Sequence, residues 1–262
     1  MIRSLYTAAS GMSAQQLNLD TIANNLANSS TTGFRQLRLQ FQDMLYQNMV
    51  TPGAAQSENT VSAGLQIGLG TKSAATEVIN TQGSLNETDN EYDLAIEGNG
   101  FFQIQRPDGT TAYTRAGQFH LNGEGTMVTT DGDTLIPTIT VPSNATKVTI
   151  TEYGVVNATI SGQTTGSQLG QIQLATFPNA GGLENIGSNL MQQTTSSGDA
   201  ITGNPGGAEG LGTLQQGYLE NSNVDVVTEF VQMVLAQRAY ESNSKVIKAA
   251  DEMYSQVNTM AQ

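Results

Sequence analysis

The 262-residue sequence has no cysteine, no tryptophan and a single histidine. Without thiols there can be no disulfide, thiolate zinc site, iron–sulfur cluster or cysteine nucleophile. The one imidazole, His120, lies between Phe119 and Leu121 in a strand-like run, where a core or surface position is expected rather than a catalytic one. Charge is also scarce, with 13% of residues ionisable as Asp, Glu, Lys or Arg, about half the usual share. Ten basic against twenty-three acidic side chains give a net charge of −13, which argues against nucleic acid or an anionic membrane surface as partner. No window approaches the roughly 18 apolar residues of a membrane span, so no membrane insertion is expected. After Met1-Ile2-Arg3 the chain is broken by Ser4, Thr7, Ser10, Gln15 and Gln16, so any export is expected to use a route that reads no cleavable signal peptide.

What is present is unevenly placed. Residues 1–80 have net charge 0, residues 81–209 have −10, and residues 210–262 have −3. All six prolines lie between Pro52 and Pro205, Gly11 is the only glycine before Gly33, and none follows Gly217. The two ends are therefore nearly free of helix breakers. At the N-terminus Leu5, Ala8, Met12, Gln15, Leu19, Ile22 and Leu26 recur in alternating steps of three and four. At the C-terminus Ala239, Asn243, Val246, Ala250, Met253, Val257 and Met260 do the same, and Val224, Val227, Val231 and Val234 continue the stripe upstream. Each is a narrow heptad seam, which predicts a helix seeking a helical partner, either the other terminus or another copy of the chain. The polar seam positions Gln15 and Asn243 either select register or are simply tolerated. Asn221, Ser222 and Asn223 are candidate N-caps for the second helix.

The middle reads as β. Strands are expected at 101–105, 111–115, 118–121, 126–130 and 134–136, joined by Pro107-Asp108-Gly109, Asn122-Gly123 and Asp131-Gly132 turns. Others are expected at 147–151, 154–160 and 171–176. The predicted fold is α+β with a mainly β middle: terminal helices forming a coiled-coil-like core layer, an inserted antiparallel β domain, and extended connectors. The boundaries are 1–32 for the first helical segment, 33–80 for a connector with an insertion at 46–64, 81–209 for the β domain, 210–221 for the return connector and 222–262 for the last helix.

Chemistry is hard to find in the sequence. Glu87, Asp89, Glu91 and Asp93 alternate, and Glu124, Asp131 and Asp133 crowd one hairpin, but neither has the spacing of a calcium loop and a solvated acidic face is the expected reading. Gly98-Asn99-Gly100 is followed by Phe101-Phe102-Gln103 in place of a third glycine and a helix, so it reads as a turn rather than a dinucleotide fingerprint. No catalytic, metal or cofactor site is expected. A hydrolase working with two carboxylates alone stays formally open.

Three segments carry a resemblance. Ala23-Asn24-Asn25-Leu26-Ala27-Asn28, leading through Thr31 to Gly33-Phe34-Arg35, resembles the signature of bacterial flagellar rod and hook proteins. Gln216 to Asp225, with Gln237-Arg238-Ala239-Tyr240-Glu241, is similar to the other half of that pattern, and Asp93 to Phe102 is similar to the family's entry into its β domain. The length and the stretch Tyr46–Gly64, with Pro52 and Gly53, resemble the distal-rod branch of the family and its insertion. The resemblance implies a subunit that polymerises helically into a hollow shaft, carrying torque across the periplasm and serving as an export channel. It also implies contacts with proximal rod and hook proteins, the surrounding P and L rings and the flagellar export apparatus. Phe41 and Leu45, in Phe41-Gln42-Asp43-Met44-Leu45-Tyr46, are similar to a family export signal, or belong to an amphipathic packing segment. A hook or proximal rod paralogue, and from a different class a β-rich adhesin or hydrolase, are the alternatives.

Overall fold

The structure is a computed structural model that describes residues 2–50, 55–56, 59–60, 64–160, 166–207 and 210–260. Chain contacts divide it into two units, one of residues 1–27, 37–77 and 225–262 and the other of residues 28–36 and 78–224.

The first unit is built on two helices, α1 (Ile2–Ala27) and α2 (Val226–Met260). They run antiparallel: Asn25 near the end of α1 reaches Glu229 near the start of α2, and Gly11 lies against Asn243 further along. A Cβ at Gly11 would approach the Asn243 amide to 2.9 Å, so the single glycine of α1 makes room for the polar seam residue opposite. That register brings the start of α1 beside the stretch around Ala250, and the last two turns of α2 run past it. The cap of α2 is Asp225 rather than 221–223: its carboxylate accepts from the Val227 N–H at 3.1 Å and the Thr228 hydroxyl at 2.6 Å. Those bonds hold the Asp225 carboxyl below its ordinary value, the Thr228 hydroxyl most strongly.

Of the seven seam residues of α1, Ala8 and Ile22 are buried within the chain itself and the other five are half-buried. The seam of α2 divides between an inward and an outward face within the single chain. The side that turns inward repeats at Glu229, Ala236, Asn243 and Ala250, every seven residues, with Met233, Ile247 and Tyr254 half-buried between them. The sequence offered adjacent apolar pairs, Val246-Ile247 and Met253-Tyr254, and the expected seam took the outward member of each. Asn243 and Ala250 therefore face inward and Ala239 is half-buried, whereas Val246, Met253, Val257 and Met260 are exposed.

The stretch expected as an extended connector is paired. Strand Leu37–Asp43 pairs with Thr71–Val78, and Tyr46–Val50 pairs antiparallel with Leu65–Gly68. An exposed ion pair of Arg38 with Glu77 at 2.7 Å laces the first of these ribbons. The Arg38 and Gln40 hydrogen bonds hold the Glu77 carboxyl below its ordinary value.

The second unit is an antiparallel β domain. Its largest sheet has nine strands, centred on Phe101–Gln105, which pairs with Thr111–Thr114 on one side and Thr134–Ile136 on the other. A three-stranded sheet is made of Ala145–Ile150, Val155–Ile160 and Ser167–Gln171. Period-two side chains give a core of Leu94, Ile96, Phe102, Ile104, Phe119, Met127 and Leu135, with Phe102 and Phe119 edge to face at 5.2 Å. The expected strand at 171–176 is broken at Ile172-Gln173, and its halves join different sheets. The segment 210–221 is no connector: Thr213–Gln216 pairs with Leu94–Glu97, Tyr218–Glu220 pairs with Leu85–Glu87, and Leu214 is fully buried. Sparse apolar residues among glycines and glutamines hid these strands.

Candidate functional site

The family-like motif is a folding device whose halves fall in both units. In the helical unit, Asn25 is buried and its side-chain amide mimics a strand partner: Nδ2 donates to the Leu37 carbonyl at 2.8 Å and Oδ1 accepts from the Leu37 N–H at 2.9 Å. The same Nδ2 lies 3.3 Å from the buried Glu229 carboxylate on α2. One side chain thus fastens both helices to the first ribbon strand. Asn25→Ala should lower stability by about 2–4 kcal/mol, because it strands a part-buried N–H and carbonyl together. Faster hydrogen exchange at the Leu37 amide would report the cause, and unchanged protection there would refute it. The neighbours Ala23, Asn24 and Ala27 are exposed.

In the β unit, residues 28–36 close a turn. The Thr31 N–H donates to the Asn28 carbonyl at 3.1 Å, its hydroxyl bonds the Asn28 side chain, and half-buried Phe34 donates its N–H to the Thr31 carbonyl. Gly33 sits at φ +69, and a Cβ there would come within 2.7 Å of the Ala116 nitrogen, so the turn demands glycine. Its N–H donates to the Glu220 carbonyl at 2.8 Å. Beyond it, Arg35 places Nη1 2.7 Å from Glu220 Oε1, while Arg115 Nε donates to Oε2 at 2.9 Å. Gly83 adds its N–H to Oε1 at 2.9 Å. Arg115 further donates to the carbonyls of Ile96, Gly98 and Gly100. All three charged side chains are at least 95% buried. Burial pushes the Arg115 guanidinium below its ordinary value, the Glu220 carboxylate opposes this, and the Arg35 charge adds to it. Asn223 stitches the same place: Oδ1 accepts from the Gln36 N–H at 2.7 Å, and Nδ2 donates to the carbonyls of Ile79 and Thr81.

Sequence reasoning found Arg35 but missed Glu220 and Arg115. Glu220 stood inside the quoted C-terminal pattern, and a lone acid between Leu219 and Asn221 gave no sign of burial. Asp93 proved to be a buried structural acid held by Thr88 and Asn90. His120 is exposed on the strand Phe119–Leu121. Among the described residues no three His, Asp or Glu side chains gather into a metal-sized cluster.

The other conspicuous feature is an uncovered apolar face. On α2, Val227, Phe230, Val231, Val234 and Leu235 are all exposed at helical spacing, Val227 by 73%. On the ribbons, Phe41, Leu45, Tyr46, Met49 and Leu65 are exposed, Leu45 by 84%, which argues against Phe41 and Leu45 packing inside this chain. Gly64 is half-buried, whereas Pro52 and Gly53 lie outside the described residues. Exposed apolar side chains gathered at helical spacing and along a ribbon mark a surface where another chain can dock.

Comparison with known proteins matches three families along the chain: "Flagella basal body rod protein" over residues 5–35, "Flagellar hook protein FlgE/F/G D1 domain" over 95–158, and "Flagellar basal body rod FlgEFG protein C-terminal" over 215–260. The flagellar basal-body rod protein FlgG of Caulobacter vibrioides is 49% identical over 96% of this chain and 97% of its own length. That of Borreliella burgdorferi is 47% identical over 99% of both, and that of Bacillus subtilis is 42% identical over 98% of both. Among solved structures, the Helicobacter pylori flagellar hook protein FlgE2 is 14% identical with a TM-score of 0.25, covering 71% of this chain and 43% of that one.

Proposed function

The chain belongs to the flagellar basal-body rod protein FlgG family, and from that premise we propose that it assembles as a helical homopolymer through the uncovered faces of α2 and the ribbons. It is a structural subunit of the rod in the flagellar basal body. The exposed stripe from Val227 to Leu235 carries the assembly reading, since a heterologous contact that does not close gives a filament. Val246, Met253, Val257 and Met260 extend that surface toward the end of α2. In the finer reading, the two helices form a coiled-coil-like inner layer around an export channel and the acidic β domain faces outward. The shaft crosses the periplasm, turns within the P and L rings, and joins proximal rod proteins to the hook. The subunit reaches it through the flagellar export apparatus, guided by the exposed Phe41 and Leu45. No catalysis or cofactor enters this role.

The segment 46–64 would brace neighbouring subunits against bending. Its strand Tyr46–Val50 pairs with Leu65–Gly68 just beyond it, a ribbon stiffer than a single extended chain, and Tyr46 and Met49 present apolar area to a neighbour. Deleting residues 46–64 should leave subunits that still polymerise but yield curved filaments in electron micrographs. Straight rods from that deletion would refute the bracing role.

A further inference from the structure

Beside the ion triad the β unit holds a cavity of about 280 Å³, walled by Arg35, Arg115, Asn80, Asn99 and Phe101 among others. Two guanidinium groups there share one carboxylate, so one positive charge has no counter-charge. Arg115 spends its donors on Glu220 and three backbone carbonyls. Arg35 does not: the acceptors it meets among the described residues, the Glu220 carboxylate and the Thr81 carbonyl, both sit at Nη1. Among the described residues its Nε–Nη2 edge, the pair of parallel donors that fits a carboxylate, meets no protein acceptor, and since no buried side-chain nitrogen there lacks a hydrogen-bond partner, that edge reaches the solvent of the cavity. A guanidinium edge that opens on a cavity beside one uncompensated positive charge attracts an anion there. A monoanion balances the site; a phosphate dianion would overshoot. The chain itself carries thirteen more acidic than basic side chains.

We propose that this cavity is a receptor for a carboxylate, gripped by the Nε–Nη2 edge of Arg35 with the exposed amides of Asn80 and Asn99 at its rim. The carboxylate comes either from a small free acid or from an aspartate or glutamate of a second copy, and only the second source rests on the assembly reading.

The test is titration of the full-length, unassembled protein with sodium acetate, followed at the arginine Nε–Hε signals by NMR, against sodium chloride at equal ionic strength. A saturable shift of the Arg35 signal with a millimolar midpoint is expected, with no matching response to chloride. In the doubly substituted Asn80→Asp, Asn99→Asp protein the added rim carboxylates compete for the guanidinium. Its acetate midpoint should rise about tenfold or more while circular dichroism stays unchanged. Equal responses to acetate and chloride, or an unchanged midpoint in the double variant, would overturn the receptor. Repeating the titration on assembled polymers by solid-state NMR separates the sources. Loss of the acetate response there assigns the carboxylate to a neighbouring copy, and its persistence assigns it to a free acid.

Discussion

Glu220→Gln should destabilise the β unit by about 3–5 kcal/mol, the usual cost of removing one partner from a buried ion network. The substitution keeps size and shape, so packing cannot account for the loss. What changes is that Arg35 and Arg115, both nearly inaccessible, lose the carboxylate they share. The backbone carbonyls of Thr81, Ile96, Gly98 and Gly100 remain, but dipoles do not balance two full charges. Urea unfolding followed by tyrosine fluorescence, the available probe in a chain with eight tyrosines and no tryptophan, measures the shift. Replacing all three charged residues with methionine should recover much of the loss, since uncharged side chains of similar volume need no counter-ion. A loss below about 1 kcal/mol for Glu220→Gln would mean that the triad contributes little.

The second large effect concerns assembly. Val231→Asp combined with Leu235→Asp places two carboxylates in the middle of the exposed α2 stripe. In the single chain both positions face water, so helix content and melting of the monomer should hardly change. In a polymer that buries the stripe, each unpaired charge costs several kcal/mol, enough to raise the critical concentration by at least about a hundredfold. Sedimentation and electron microscopy across a concentration series would show this. Polymerisation at an unchanged threshold would place the subunit contacts elsewhere.

The parts of the fold written in hydrophobic period could be read from the sequence. Both helices, the hairpins joined at Gly109 and Gly132, and the strands around Phe101–Gln105 follow from spacing and turn residues alone. Among the strands that escaped, Thr213–Gln216 and Tyr218–Glu220 have partners far away in sequence, and each buries one side chain, Leu214 and Glu220. Nothing local distinguishes them from polar linkers. The face that α2 turns to α1 could not be read for a different reason: at Val246-Ile247 either residue could serve, and only the position of α1 decides. The motif was recognised as a pattern, and what it does physically became clear when Asn25, Gly33 and Arg35 each met a partner beyond it. Full-length identity to rod proteins sets aside the adhesin and hydrolase readings that composition had left open.

The position of Glu220 also bears on timing. Its two arginines are at 35 and 115, and the strand pairing that seats it joins residues 85–87 to 218–220. A chain delivered from its N-terminus would present more than four-fifths of its length before the counter-ion emerged. Until then closing the β unit would bury two guanidinium groups without their carboxylate, at a cost of several kcal/mol that favours the open chain. In that order of delivery, closure would wait on a single acidic residue well past the middle of the sequence.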